Sequence, residues 1–152
     1  MLELRPFGAA DLAAVEQWFD DAESQRWLGA RDWPAQSLKL VGEHRHVFLG
    51  SIAGQPVVLI DVETYPGQRA SFAIVVAPTR RRAGMGRLAL MAIIADPLFS
   101  GITEWFAGIE RGNDSSRGLV RSLGFRQVTD EDADGFTYYV LGDALFPWSL
   151  PD

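Results

Sequence analysis

The chain has no cysteine, two histidines and one lysine (Lys39) in 152 residues. Without cysteine there are no disulfides, no thiolate metal sites and no cysteine nucleophile. His44 and His46 are then short of partners for a zinc-type site, so no metal is expected. The lone lysine lies outside any glycine-rich loop, which removes the nucleotide P-loop with its Gly-Lys-Ser/Thr ending. No apolar run approaches the ~18 residues a membrane helix needs. The opening "MLELRPFGAADL" carries an early acid and no apolar signal core, which predicts a cytoplasmic protein with no membrane partner. A net charge of −6 argues against a nucleic-acid partner, which would call for a basic face.

What is present describes an ordinary globular chain, 47% hydrophobic and 22% charged, sized for one domain spanning 1–152. "LELRPF" alternates as a strand, and "DLAAVEQWFDD" places Leu12, Val15, Trp18 and Phe19 at helical spacing behind Asp11 as N-cap. "AESQRWLG" adds a helical turn or two, and Pro34 suits the first turn of another helix. "HVFLGSIAGQPVVLIDVETY" reads as a hairpin about Gly54, and "RASFAIVVA" as a further strand ended by Pro78. A buried helix from Gly86 to about Ala95 follows. Then come the strand "TEWFAGIE", the helix "NDSSRGLVRSLG" and two closing strands. The order β-α-α-β-β-β-α-β-α-β-β predicts an α/β fold with a mixed sheet between helical layers, three layers in all.

Charge is not evenly spread. In "VVAPTRRRAGMGRLAL", Arg80, Arg81, Arg82 and Arg87 fall within eight residues, beside two glycines at the mouth of a helix. A helix N-terminus presents unsatisfied N–H groups and the positive end of its dipole, and bare glycine backbone lets an anion approach closely. The segment "GMGRLA" also satisfies a dinucleotide fingerprint, with Glu110 about twenty residues further on. Against that reading, "PTRRRA" separates the strand from the first glycine, and antiparallel hairpins precede it.

Arg81-Arg82-Ala83-Gly84-Met85-Gly86 instead resembles the pyrophosphate loop Q/R-x-x-G-x-G/A of the GNAT N-acetyltransferases. "IERGNDSSRGLVRSLGF" resembles the same family's next segment, with Asn113, Ser116, Gly124 and Phe125 at its characteristic places. The chain is therefore identified as similar to the GNAT family, and closest in pattern to its ribosomal-protein N-terminal and aminoglycoside branch. The resemblance implies acetyl-coenzyme A as co-substrate and a primary amine, cationic in one reading, as acceptor. It implies that Ile74, Val75 and Val76 line the pantetheine arm. Arg81, Arg82, Ala83, Gly84, Met85, Gly86 and Arg87 would take the pyrophosphate, and Asn113 and Ser116 would help to hold the arm.

The sequence departs from the family at two points. The tyrosine that many members place seven residues after the asparagine is Val120, which leaves Ser116 as candidate acid. The usual glutamate of the fourth strand is Ser71, so Glu63 and Asp61, sharing one strand face, become candidate bases, with Glu110 a further claimant. These departures keep open a non-catalytic acyl-coenzyme A-binding domain. Trp18 reads as core, whereas Trp27 and Trp33 beside Asp20, Asp21 and Glu23 would suit a cationic amine. Monomer and homodimer both fit, and the tail "LFPWSLPD" is a candidate subunit contact.

Overall fold

The structure is a computed structural model that describes all 152 residues. Strand β1 (Leu2–Pro6) leads into three short helices, α1 (Leu12–Glu16), α2 (Ala22–Trp27) and α3 (Trp33–Lys39). Strands β2 (Arg45–Ile52), β3 (Gln55–Tyr65) and β4 (Arg69–Val76) form a meander. Helix α4 (Met85–Ile94), β5 (Glu104–Glu110), α5 (Asp114–Ser122), β6 (Arg126–Gln127) and β7 (Phe136–Gly142) complete the chain. The strands make one sheet in the order β1-β2-β3-β4-β5-β7-β6. Its neighbours are antiparallel except β4 and β5. One parallel pair inside such a sheet is not the parallel arrangement a dinucleotide fold requires, so the fingerprint in "GMGRLA" is a coincidence of spacing.

The alternation of β3 explains the layers. Ile60 and Val62 point to one face, where they pack with Leu90 and Ile93 of α4 and Val120 of α5. Leu59 points to the other, with Val15 of α1, Phe19, Val47, Leu49 and Val75. Helices thus cover both faces, as the sequence pattern implied. The first helical region is more broken than its apolar spacing suggests. After α1 the chain tightens into a 3₁₀ turn over Gln17–Asp20, then Asp21 turns extended (φ −92°, ψ 132°). The Asp21 carboxylate accepts the N–H groups of Glu23 and Ser24, both at 3.1 Å, and so starts α2 afresh. Asp11 does not cap α1 by a direct bond but accepts from the Gly8 N–H at 2.9 Å and pairs with Arg5. The β2–β3 hairpin turns on Ala53 (φ 50°) and Gly54 (φ 78°), the paired left-handed residues of a two-residue turn whose twist matches its strands.

Candidate functional site

The parallel pair β4–β5 is where the sheet opens. Only Arg69↔Glu104, Ala70↔Trp105 and Ser71↔Phe106 are in register, and beyond them the strands part. The gap is a cavity of about 970 Å³. Its walls are Phe72–Val76 of β4, Ala107–Ile109 of β5, the starts of α4 and α5, and Ser24, Trp27 and Leu28 from α2 and its end. Main-chain groups of β4 that would face a parallel neighbour are left without one along this stretch. A flexible chain with amide groups could take their hydrogen bonds.

The arginine loop closes the head of the gap. No main-chain N–H from Arg81 through Arg87 finds an acceptor in the protein; the first helical bond of α4 is Leu88 N–H to the Gly84 carbonyl at 3.0 Å. Gly84 is left-handed (φ 79°), and a Cβ there would meet nothing within 4 Å, so what the site uses is its conformation and open space. A Cβ on Gly86 would lie 3.5 Å from Leu119 and 3.7 Å from Ile74 and Val76, which shows how closely α4 begins against β4. Arg82 also takes a left-handed conformation (φ 61°), unfavourable for its side chain and a mark of a loop shaped for something other than its own stability.

The four arginines are not equivalent. Arg80 and Arg82 line the cavity and make no ion pair. Arg87 is exposed and also lines the cavity, its Nε donating to Ser122 Oγ at 3.3 Å. The side chain of Arg81 is taken. Its Nη2 donates to Asp21 Oδ2 at 2.7 Å and Ser24 Oγ at 2.9 Å, and its Nη1 lies 2.9 Å from Glu23 Oε2. The Asp21 carboxyl is held below its ordinary range chiefly by that guanidinium. The side chain that the sequence places at a phosphate is thus turned toward α2, with its charge matched there.

Across the gap, Asn113 caps α5, its Oδ1 accepting the Ser116 N–H at 3.3 Å. Its amide NH₂ and the Ser116 hydroxyl have no partner in the protein, and both residues line the cavity. Val120, in the place of the familiar tyrosine, is buried.

The two candidate bases separate. Asp61 is buried, and Arg45 grips it at both oxygens (Nε–Oδ1 2.6 Å, Nη2–Oδ2 2.9 Å). Such a carboxylate balances a charge and has no free edge for a substrate, which makes Glu63 the better placed of the two as a base. Glu63 is 40% exposed, touches Arg45 only at 3.4 Å, and sits in register with Ser71, the last paired residue before the strands part. Neither acid lines the cavity itself. Beside them, burial pushes the Tyr65 phenol up, with Ser71 and Glu63 as its polar neighbours. Tyr65 shares the parity of Asp61 and Glu63, and that signal was available in "DVETY". Glu110 is exposed at the end of β5 and does not pack.

The acids after the first helix are also spoken for, Asp20 by Arg31 and both Asp21 and Glu23 by Arg81. Trp33 stacks on Phe19 with ring centroids 5.6 Å apart, and Trp18 is core. Of the three tryptophans only Trp27 reaches the cavity, under the Arg26 guanidinium at 4.4 Å. That cluster is therefore no ready-made cage for a cation. The tail is partly engaged, with Leu145, Phe146 and Leu150 left exposed. Trp148 packs on Phe106 and Tyr138 of its own sheet, and Arg69 donates to the Ser149 carbonyl at 2.8 Å, so its largest aromatic is engaged within the chain.

No family model matches the chain. Its sequence is 26% identical over 136 residues to a Bacillus subtilis protein named as the uncharacterized N-acetyltransferase YfmK, covering 86% of this chain and 90% of that one. Its fold is similar to the aminoglycoside acetyltransferase AAC(6')-Ib solved with coenzyme A (TM-score 0.77, 20% identity, 93% and 95% of the two chains). That enzyme has also been solved with coenzyme A and kanamycin together. The GNAT domain of an S. lividans protein is similar as well (TM-score 0.76, 17% identity, 93% and 90%). The fold is that of the GNAT acetyltransferases.

Proposed function

We propose that the protein transfers the acetyl group of acetyl-coenzyme A to a primary amine. The observation that carries this is the unsatisfied run of N–H groups from Arg81 to Arg87, set at the head of a gap between two strands that could take an extended arm. A pyrophosphate supplies the acceptors the loop lacks, helped by the α4 dipole and by Arg80 and Arg82. The arm then lies along Ile74, Val75 and Val76, with the free NH₂ of Asn113 opposite.

In the reaction the amine nitrogen bonds to the thioester carbonyl carbon, the carbon–sulfur bond breaks, the nitrogen gives up a proton and the thiolate gains one. Main-chain N–H near Val76 is our candidate for the carbonyl oxygen as negative charge develops there. Glu63 is the candidate to draw and deprotonate the amine, with Ser71 opposite it on β4 and Tyr65 beside it. Ser116 is the candidate to meet the departing sulfur. A thiolate with an ordinary pKa near ~8.5 places little demand on that acid, which suits a plain hydroxyl. The acceptor in this reading is a small-molecule amine, an aminoglycoside-like compound or a peptide N-terminus.

Burial of Val120 favours a second reading, a domain that binds an acyl-coenzyme A without turning it over. Thiol release from acetyl-coenzyme A against a panel of small amines, aminoglycosides and peptides distinguishes them. Release above the hydrolysis background with one acceptor class supports transfer; binding without release from any class supports the second reading.

A further inference from the structure

We propose that Arg81 is a positioning residue: it clamps α2 to the phosphate loop and so sets the cavity wall, and its guanidinium is not a phosphate ligand. The proposal rests on the reading of the cavity as a coenzyme A site.

Three contacts made 57 to 60 residues away in sequence converge on one side chain. An exposed arginine–carboxylate pair contributes little, because water competes for both partners. This one is different in kind. Arg81 and Asp21 are about 70% covered, two carboxylates and a hydroxyl share the guanidinium, and Asp21 is also the N-cap from which α2 begins. The residue that starts the helix is thus the residue the loop holds. Directly along that helix stand Ser24 and Trp27, followed by Leu28, which form one wall of the cavity. Were Arg81 to leave for a phosphate, Asp21 and Glu23 would be left without their cation beside an incoming dianion, a like-charge arrangement that opposes binding. Arg80 and Arg82, which have no such ties, can meet the anion without that cost.

Asp21→Asn separates the two roles, because asparagine still caps a helix while surrendering the charge. A clamp requires that Asp21→Asn and Arg81→Ala each weaken coenzyme A by about threefold to tenfold in calorimetry, the range for one ordinary hydrogen bond lost indirectly. It also requires that the double variant lose no more than the worse single one. Arg81→Lys, able to keep one contact and not three, should fall between wild type and Arg81→Ala. A phosphate ligand makes the opposite prediction: Asp21→Asn frees the guanidinium and tightens coenzyme A. That result, or unchanged affinity in Asp21→Asn beside weakened affinity in Arg81→Ala, overturns the proposal.

A second measurement needs no ligand. The amides of Gln25 and Leu28, bonded to the carbonyls of Asp21 and Ser24, should exchange with solvent several-fold faster in both single variants. Unchanged exchange also overturns the clamp. If the wild-type protein fails to bind coenzyme A, the functional reading falls, and the exchange experiment still decides what Arg81 does.

Discussion

Gly84 carries a left-handed turn at the mouth of α4 with open space where a side chain would go. Gly84→Asp fills that space with a negative charge at a conformation asparagine and aspartate tolerate better than most residues. The fold should survive while coenzyme A binding falls below detection in calorimetry. Asp61 and Glu63, two residues apart, should answer mutation in opposite ways. Asp61→Ala strands the largely covered Arg45 guanidinium and should cost about 3–5 kcal/mol in urea unfolding, the range for breaking a buried pair. Glu63→Gln should leave stability within about 0.5 kcal/mol, as for an exposed site. It should lower turnover at pH 7 by about 10²- to 10⁴-fold, with recovery as pH climbs toward the acceptor's own pKa, about 10 for an alkylamine. Unchanged turnover at pH 7 removes Glu63 from the mechanism.

At the level of elements, legibility followed the range of the forces involved. The meander β2–β4, helices α4 and α5 and the closing strands were readable because period-2 and period-3.6 patterns are local consequences of which face is buried. The break at Asp21 was not, since the apolar spacing runs on from Trp18 and Phe19 while the cap that interrupts it is a side-chain event. Nor could any pattern show that Asp61 meets Arg45 across a strand pair, or that Arg81 meets Asp21 at the start of α2. Each of those assignments depends on a partner at least sixteen residues away. The anion loop was legible because its chemistry sits in consecutive residues. Its turn chemistry suggests one further test at this scale. Ala53 takes a left-handed conformation that favours asparagine or glycine. Ala53→Asn should stabilise the hairpin by roughly 0.5–1 kcal/mol in the same urea experiment, and a loss of stability would contradict the turn geometry.

For the whole molecule, acid stability follows from three carboxylates whose pKa values the fold depresses. Asp11 is held down chiefly by Arg5, Asp21 by Arg81 and Glu131 by Arg111. A depressed group contributes stability that is complete above its unfolded pKa and is lost as pH falls through its folded one. Thermal unfolding should therefore hold steady above about pH 5 and weaken progressively below about pH 4. Asp21→Asn should flatten part of that slope, and an identical slope would mean the Arg81 pair contributes nothing to it.

The parting of β4 from β5 also divides the hydrogen-bonded sheet into two pieces. On one side β1–β4 close a continuous antiparallel unit, and on the other β5, β7 and β6 close a second. Within the sheet three residue pairs join them, at the end where Arg69 pairs with Glu104 and the Trp148 indole packs on Phe106 of β5 and Tyr138 of β7. Forces that open the protein concentrate at a seam of this kind, with the Arg69–Glu104 contact as its pin. Anything seated between the strands spans both pieces and acts as a crossbar. A ligand at a hundredfold excess over its Kd adds about 2.7 kcal/mol whatever its location. Here that energy falls where the two units would first part, so protection on binding should spread through β5 and β7 as well as β4, far beyond the residues the ligand touches.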